Sequence, residues 1–289
     1  MNHTEQRKKL RALIGGTKSH ASARIFDPLS ARVAESVGYQ IGLLAGSGVS
    51  ATMLAAPDLC VHTLTEYADQ VWRIMRVCNL SLFVDADNGY GNALNVMRTV
   101  QEFEHAGISG LSIEDTALPV SFGQAEEEVK RMISIEEGVG KMRAAVAARE
   151  DPSLVIAART SALKFEGIES AVARAKAYAA TGVDMIFIAT GLEKLEHIQA
   201  IHAAAKLPIV LGSNRGTLTR EQLESNGARI LNPGHQTIPA AVKALRDTYT
   251  HLYNGGSPAD LKSKIASPKE MEQLTNGANY KQWLREYMH

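Results

Sequence analysis

Cysteine is nearly absent from this chain: Cys60 and Cys78 are the only two in 289 residues. Neither belongs to a C-x-x-C pair, and no histidine cluster stands nearby, so reduced thiols are expected rather than a disulfide framework or a zinc site. An excess of charge is missing as well. The 31 Lys and Arg balance 31 Asp and Glu, which removes the electrostatic reason to expect nucleic acid or an anionic membrane as partner. No apolar run approaches the roughly 20 residues that span a bilayer. The opening MNHTEQRKKLRALIGG is polar and then basic, without a secretory apolar core, and a cytoplasmic location is expected. No Pro/Gly/Ser-rich linker or block of one charge interrupts the chain, so a single domain over residues 1–289 is expected.

What the chain does contain is a recurring unit: an amphipathic helical stretch, a turn with glycine, then an apolar strand. AESVGYQIGLLAGS has it at Gly38, FEHAGISGLSIED at Gly107, YAATGVDMIFIAT at Gly182 and LESNGARILNP at Gly227. Each glycine falls where a helix must stop and reverse. Leu94, Met97, Val100 and Phe103 repeat at helical spacing and predict one buried face. Strands are expected at about 23–26, 41–46, 81–85, 110–114, 154–159, 184–189, 208–212 and 229–232. They are near-continuously apolar, the pattern of parallel strands covered by helices. Eight such units predict a closed (β/α)8 barrel with a C-terminal helical extension. An open doubly wound sheet would carry a glycine-rich dinucleotide turn after its first strand, and SARIFDPLSARV has none. GGTKS at 15–19 lacks the spacing of a phosphate loop.

Active sites of such barrels lie at the C-terminal ends of the strands. Ser47 follows strand two, Asp85 and Asp87 strand three, Glu114 and Asp115 strand four, Arg159 and Thr160 strand five, and His235 strand eight. Each has a structural alternative. Asp87 and Ser47 are competent helix caps, Arg159 is a possible ion-pair partner of Glu114, and His235 taken alone suits a surface loop. Asp115 and Thr160 suit caps and turns. Three acids, an arginine and a histidine converging on one barrel mouth nonetheless read as a site. An alternation of period two puts Asp85 and Asp87 on one side of an extended chain. With Glu114 they make an oxygen-only acidic cluster that calls for a hard cation, and Mg2+ fits, since it binds through one or two carboxylates, waters and the substrate. Sequence does not separate Mg2+ from Mn2+.

DADNGYGN, IEDTALP, AART and GSGVS together resemble the isocitrate lyase/phosphoenolpyruvate mutase superfamily, from about residue 20 to the C-terminus. The resemblance implies a barrel whose C-terminal helix is exchanged between protomers, a homotetramer built from dimers, and Mg2+ holding a 2-oxo acid or its enolate. It makes Asp85 the protein group nearest the metal, with Asp87, Glu114 and Asp58 acting mainly through water. Lyases of the superfamily carry a K-[KR]-C-G-H loop after strand four, whose cysteine is the acid/base. Here Val120, Ser121, Phe122, Gly123 and Gln124 follow IEDTALP, and phenylalanine has no proton to exchange. With His235 in NPGH, the pattern is most similar to the oxaloacetate decarboxylase branch, in which Ser47, Arg159 and His235 bind substrate.

That branch implies Mg2+-dependent loss of CO2 from oxaloacetate through an enolate, with Arg159 and His235 catalytic. His235 has two open roles, orienting the substrate or protonating the enolate. Two alternatives stand beside this reading: another enzyme of the superfamily acting on a different 2-oxo or 2-hydroxy acid, and a non-catalytic binder of dicarboxylates. For association, Ile238, Val242, Leu245 and Tyr249 share a helical face, and Trp283, Leu284 and Tyr287 form a second apolar run. They either cover their own barrel or cross to a neighbour.

Overall fold

Eight parallel strands close on themselves in the computed structural model, which describes residues 3–119, 132–190, 192–213 and 216–288. They are β1 (His20–Arg24), β2 (Ile41–Ala45), β3 (Ser81–Asp85), β4 (Gly110–Glu114), β5 (Val155–Thr160), β6 (Met185–Ile188), β7 (Ile209–Leu211) and β8 (Ala228–Leu231). Each pairs with its successor, and β8 returns to β1. The helices before and between them are α1 (Thr4–Gly15), α2 (Pro28–Val37), α3 (Gly46–Leu54), α4 (Leu64–Met75), α5 (Ala93–Ala106) and α6 (Ile135–Ala148). There follow α7 (Ala162–Phe165), α8 (Ile168–Ala179), α9 (Leu195–Ala205) and α10 (Arg220–Ser225). Beyond the barrel lie α11 (Thr237–Tyr253), α12 (Pro268–Leu274) and α13 (Gly277–Tyr287). No helix among the described residues is long and apolar enough to cross a membrane.

The expected barrel forms, and seven strands fall within a residue of their expected limits. The exception is β1, expected at 23–26 and found at His20–Arg24. The cause is a capping box: Asp27 Oδ1 accepts from Ser30 N at 2.6 Å, and Ser30 Oγ accepts from Asp27 N at 3.0 Å. That box starts α2 at once and ends the extended chain, so apolar Ile25 and Phe26 leave the strand rather than centre it. Gly38, Gly107, Gly182 and Gly227 all have positive φ, as a reversing helix end requires. On α5 the expected face is corrected at one end. Val96, Val100 and Phe103 are buried, but Leu94, in the first turn, is 73% exposed.

The lower, N-terminal end of the barrel is stoppered by α1. Leu10 and Ile14 enter a core made by Ile41, Phe83, Val155, Met185, Val210 and Ile230. Burial of each such side chain contributes about 1.5–3 kcal/mol. Arg7 fixes the helix, donating from Nε to Ile108 O (2.9 Å), from Nη1 to Asp151 Oδ2 (2.9 Å) and from Nη2 to Glu104 O (2.7 Å). The opposite extension behaves differently. No residue of α11 is buried, and Val242, Leu245 and Tyr249 are 47%, 52% and 65% exposed. Trp283, Leu284 and Tyr287 on α13 are exposed too. In the single chain these apolar faces do not cover their own barrel.

Candidate active site

A cavity of about 350 Å³ opens at the C-terminal ends of the strands. Ser47, Asp58, Asp85, Asp87, Glu114, Arg159 and His235 all line it, so the structure gathers the expected metal and substrate residues into one place, leaving out Asp115 and Thr160. Phe187, Ala189 and Gly212 supply an apolar side.

The register of the sheet sets the charged centre. Glu114 on β4 stands directly beside Arg159 on β5, and Asp85 on β3 beside Ser112 on β4. Arg159 Nη1 donates to both oxygens of Asp85, at 2.7 and 2.6 Å, and Arg159 Nη2 lies 3.0 Å from Glu114 Oε2. Ser112 Oγ donates to Asp85 Oδ1 at 3.1 Å. Burial works against the Arg159 charge, but Asp85 and Glu114 outweigh it and raise the pKa above the usual guanidinium value. The ion-pair role is therefore real, and it is located inside the cavity.

Asp87 reaches the cavity by another route than the one expected. The strand ends at Asp85, and Asp87 sits in the following turn at φ +47°, not at the second position of an extended chain. It does not cap α5, a task done by Asn92. Its carboxylate lies against the backbone of Gly46, where a Cβ would fall 2.6 Å from Oδ1, so residue 46 has to be glycine for Asp87 to fit. His62 Nε2 is 3.4 Å from Asp87 Oδ2, yet that oxygen is buried without a hydrogen-bond donor. Burial raises the pKa of Asp87, with His62 pulling the other way. His62 itself is held by Ser50 Oγ on Nδ1 and Tyr90 Oη on Nε2, both at 2.9 Å.

Ser47 occupies the first turn of α3, whose N-cap residue, Ala45, brings no side-chain acceptor to the free N–H groups. These N–H groups and the hydroxyl make a natural seat for a carboxylate. Ser47 is not the cap of that helix. Asp115 and Thr160 take the structural roles. Asp115 is fully buried and accepts from Tyr178 Oη (2.8 Å) and Arg174 Nη1 (3.1 Å), and Thr160 Oγ1 accepts from Ala162 N.

Two titratable lining residues are not candidates on sequence grounds. Arg24, the last residue of β1, was hidden by the misplaced strand, since a strand ending at 26 does not present it at the mouth. Its Nη2 lies 3.0 Å from His235 Nδ1 and 2.6 Å from Nε2. Burial and then the Arg24 charge lower the pKa of His235, keeping the imidazole neutral. Cys60 is the other; burial and the surrounding acids push its thiol pKa up, so it stays protonated. Residues 120–124, with Phe122, lie outside the described residues.

Asp85, Asp87 and Glu114 were expected as a cluster ready for a cation. Among the described residues no three such groups are gathered around one point, because Arg159 holds Asp85 and Glu114. The residues nonetheless fit a small hard divalent ion. The four carboxylates of Asp58, Asp85, Asp87 and Glu114 against the guanidiniums of Arg24 and Arg159 leave an excess of negative charge, the acidic ligands are all oxygen, and the buried Oδ2 of Asp87 has no donor.

A profile of the phosphoenolpyruvate phosphomutase family matches residues 10–253. The oxaloacetate decarboxylase of Rhodopseudomonas palustris (strain BisB18) is 45% identical over 283 residues, 98% of this chain and 96% of that one. The oxaloacetate decarboxylase of Paraburkholderia xenovorans (strain LB400) is 43% identical over 99% of this chain and 94% of its own length. Among solved structures, phosphonopyruvate hydrolase in complex with oxalate and Mg2+ superposes with a TM-score of 0.84 at 28% identity, covering 98% of this chain and 99% of that one. Oxaloacetate acetylhydrolase bound to 3,3-difluorooxaloacetate gives a TM-score of 0.82, also at 28% identity, covering 97% and 96%. A complete barrel, a charged mouth built from the ends of its strands, and a profile match over most of the chain place this protein in the phosphoenolpyruvate phosphomutase family, within the phosphoenolpyruvate mutase/isocitrate lyase superfamily.

Proposed function

We propose that the chain decarboxylates oxaloacetate to pyruvate and CO2. One observation carries the reading: Ser47, Asp85, Asp87, Glu114, Arg159 and His235 line a single cavity in a chain 45% identical to an oxaloacetate decarboxylase. Ser47 and the first-turn N–H groups of α3 hold the C1 carboxylate of the substrate. Loss of CO2 from C4 leaves an electron pair on C3, which delocalises onto the C2 oxygen. Arg159, fixed by Asp85 and Glu114, presents a pre-placed positive charge to that oxygen. Asp85, Asp87 and Glu114, with Asp58 at the rim, would hold Mg2+ or Mn2+, which when bound would supply Lewis-acid stabilisation of the same charge. His235, neutral beside Arg24, orients the substrate, and water delivers the proton to C3. No general base is needed to begin, which agrees with Phe122 standing where the lyases of the superfamily have cysteine.

The assembly we propose is a homotetramer in which α11 crosses to a neighbouring barrel. What supports it is the exposure of Val242, Leu245 and Tyr249 along a helix with no fully buried residue in its own chain. We place the enzyme in the cytoplasm, in keeping with two free thiols.

The test is pyruvate formation from oxaloacetate, with and without EDTA. Turnover that stops with EDTA and returns with Mg2+ is expected. No pyruvate under any condition removes the decarboxylase reading, and equal rates with EDTA remove the metal.

A further inference from the structure

The cavity holds two arginines, on β5 and β1, strands that stand opposite each other in the eight-membered ring. Arg159 is engaged by two carboxylates. Arg24 is not. Among the described residues no carboxylate oxygen lies within 4.0 Å of its guanidinium, and its Nε is buried without a hydrogen-bond partner. The group it does touch, the His235 ring, carries no negative charge. Asp85 and Asp58 act on it only through space. Arg24 is half-buried, and a guanidinium partly withdrawn from water without an anion beside it carries unspent binding capacity. Its planar fork matches a carboxylate, which it binds through two parallel N–H bonds.

We propose that Arg24 receives a second carboxylate of the substrate, the one distal to the 2-oxo acid end, and thereby makes the site selective for 2-oxo dicarboxylates over monocarboxylates. The inference rests on the reading of this cavity as a 2-oxo acid site. The acids and the α3 N-terminus lie on β2 to β4, while Arg24 and His235 come from the adjoining β1 and β8. A four-carbon dicarboxylate anchored at the first set meets the second with its far end. Decarboxylation turns that far carboxylate into neutral CO2. A cation upon it therefore stabilises bound substrate more than the transition state, and Arg24 acts on KM rather than kcat.

Malate and lactate of the same configuration test this, because malate is lactate with a carboxylate in place of one methyl hydrogen. Their affinities for the Mg2+-loaded protein are measured by calorimetry, which needs no turnover, alongside oxaloacetate kinetics. Wild type is expected to bind malate more tightly than lactate by roughly tenfold or more, the size of a charge-assisted pair. Arg24→Met erases that preference, leaves lactate affinity unchanged, and raises KM for oxaloacetate without lowering kcat. Arg24→Lys keeps part of the preference. Unchanged lactate affinity also certifies that the variant is folded. A malate preference that survives in Arg24→Met, or none in wild type, overturns the proposal, as does a fall in kcat at constant KM. If oxaloacetate is not turned over at all, the decarboxylase reading falls by itself, and the malate–lactate comparison still decides the role of Arg24.

Discussion

Arg7 and Arg24 belong to opposite ends of one barrel and are bonded in opposite ways. At the lower end, Arg7 uses Nε, Nη1 and Nη2 on three partners, and Glu104 and Asp151 neutralise it. At the upper end, the Nε atoms of both Arg24 and Arg159 are buried and unbonded. Backbone strain divides the same way. Ala55, Cys60, Asp87 and Tyr90 have positive φ without being glycine on the segments around the mouth, against Lys206 in the turn from α9 into β7 at the lower end. An arginine whose hydrogen-bonding capacity is filled by its own chain is a fastener. One whose capacity is left open is waiting for something from outside.

The sharpest way to break this contrast is Asp85→Ala. Removing a carboxylate from the mouth should cost about two orders of magnitude in turnover or more, with a smaller loss of unfolding free energy than at the lower end, because relief of repulsion from Asp87 and Glu114 offsets part of the lost pair with Arg159. Steady-state kinetics paired with urea unfolding read both quantities, and a destabilised variant with normal turnover would reverse the assignment of the two ends. Next in size is Arg7→Met, which leaves Glu104 and Asp151 without their cation. A loss of about 3 kcal/mol in unfolding free energy is expected, with kcat per folded molecule unchanged.

The smallest effect is one of pH. Partial burial pushes the pKa of Asp151 up, but hydrogen bonds from Arg7, Ser153 and Thr4 prevail and lower it well below the usual carboxylate value. The folded chain thus takes up this proton less readily than the unfolded one. The resulting stability is whole above roughly pH 4 and drains as pH falls through the lowered value. Asp151→Asn should be less stable than wild type at pH 6, and the gap should narrow steadily on acidification below pH 4. A gap that widens in acid would mean that Asp151 is not held as a carboxylate.

Much of this molecule is legible in its sequence because the barrel repeats. Strands such as LFVD and VIAAR are apolar on both faces and can only be interior, and the glycines at 38, 107, 182 and 227 mark where each unit turns. The acids, Arg159 and His235 were legible because they directly follow such strands. The limits of β1 are not legible because its residues, HASAR, are mostly small or polar and carry no apolar strand signal, while the capping box at Asp27 starts α2 directly after Phe26. Arg24 was lost with it. His62, Ser50 and Tyr90 were invisible for a different reason. Residues on three separate segments come together only in the folded chain, and no spacing announces them. Leu94 shows the limit of periodicity, which finds a helical face but not where along the helix its cover ends.

The stopper helix α1 also sets an order of events. It precedes the strands it packs against, most closely β3, β5 and β8. A ribosome adding about 5–20 residues each second needs on the order of ten seconds or more to travel from α1 to the end of β8. Through that interval Leu10 and Ile14 have no finished barrel to enter, so a helix made before the barrel is among the last of its elements to dock. Its apolar edge stays uncovered until the barrel floor closes, so a mutation within residues 4–15 is expected to lower the yield of folded protein without changing the rate of the enzyme that does fold.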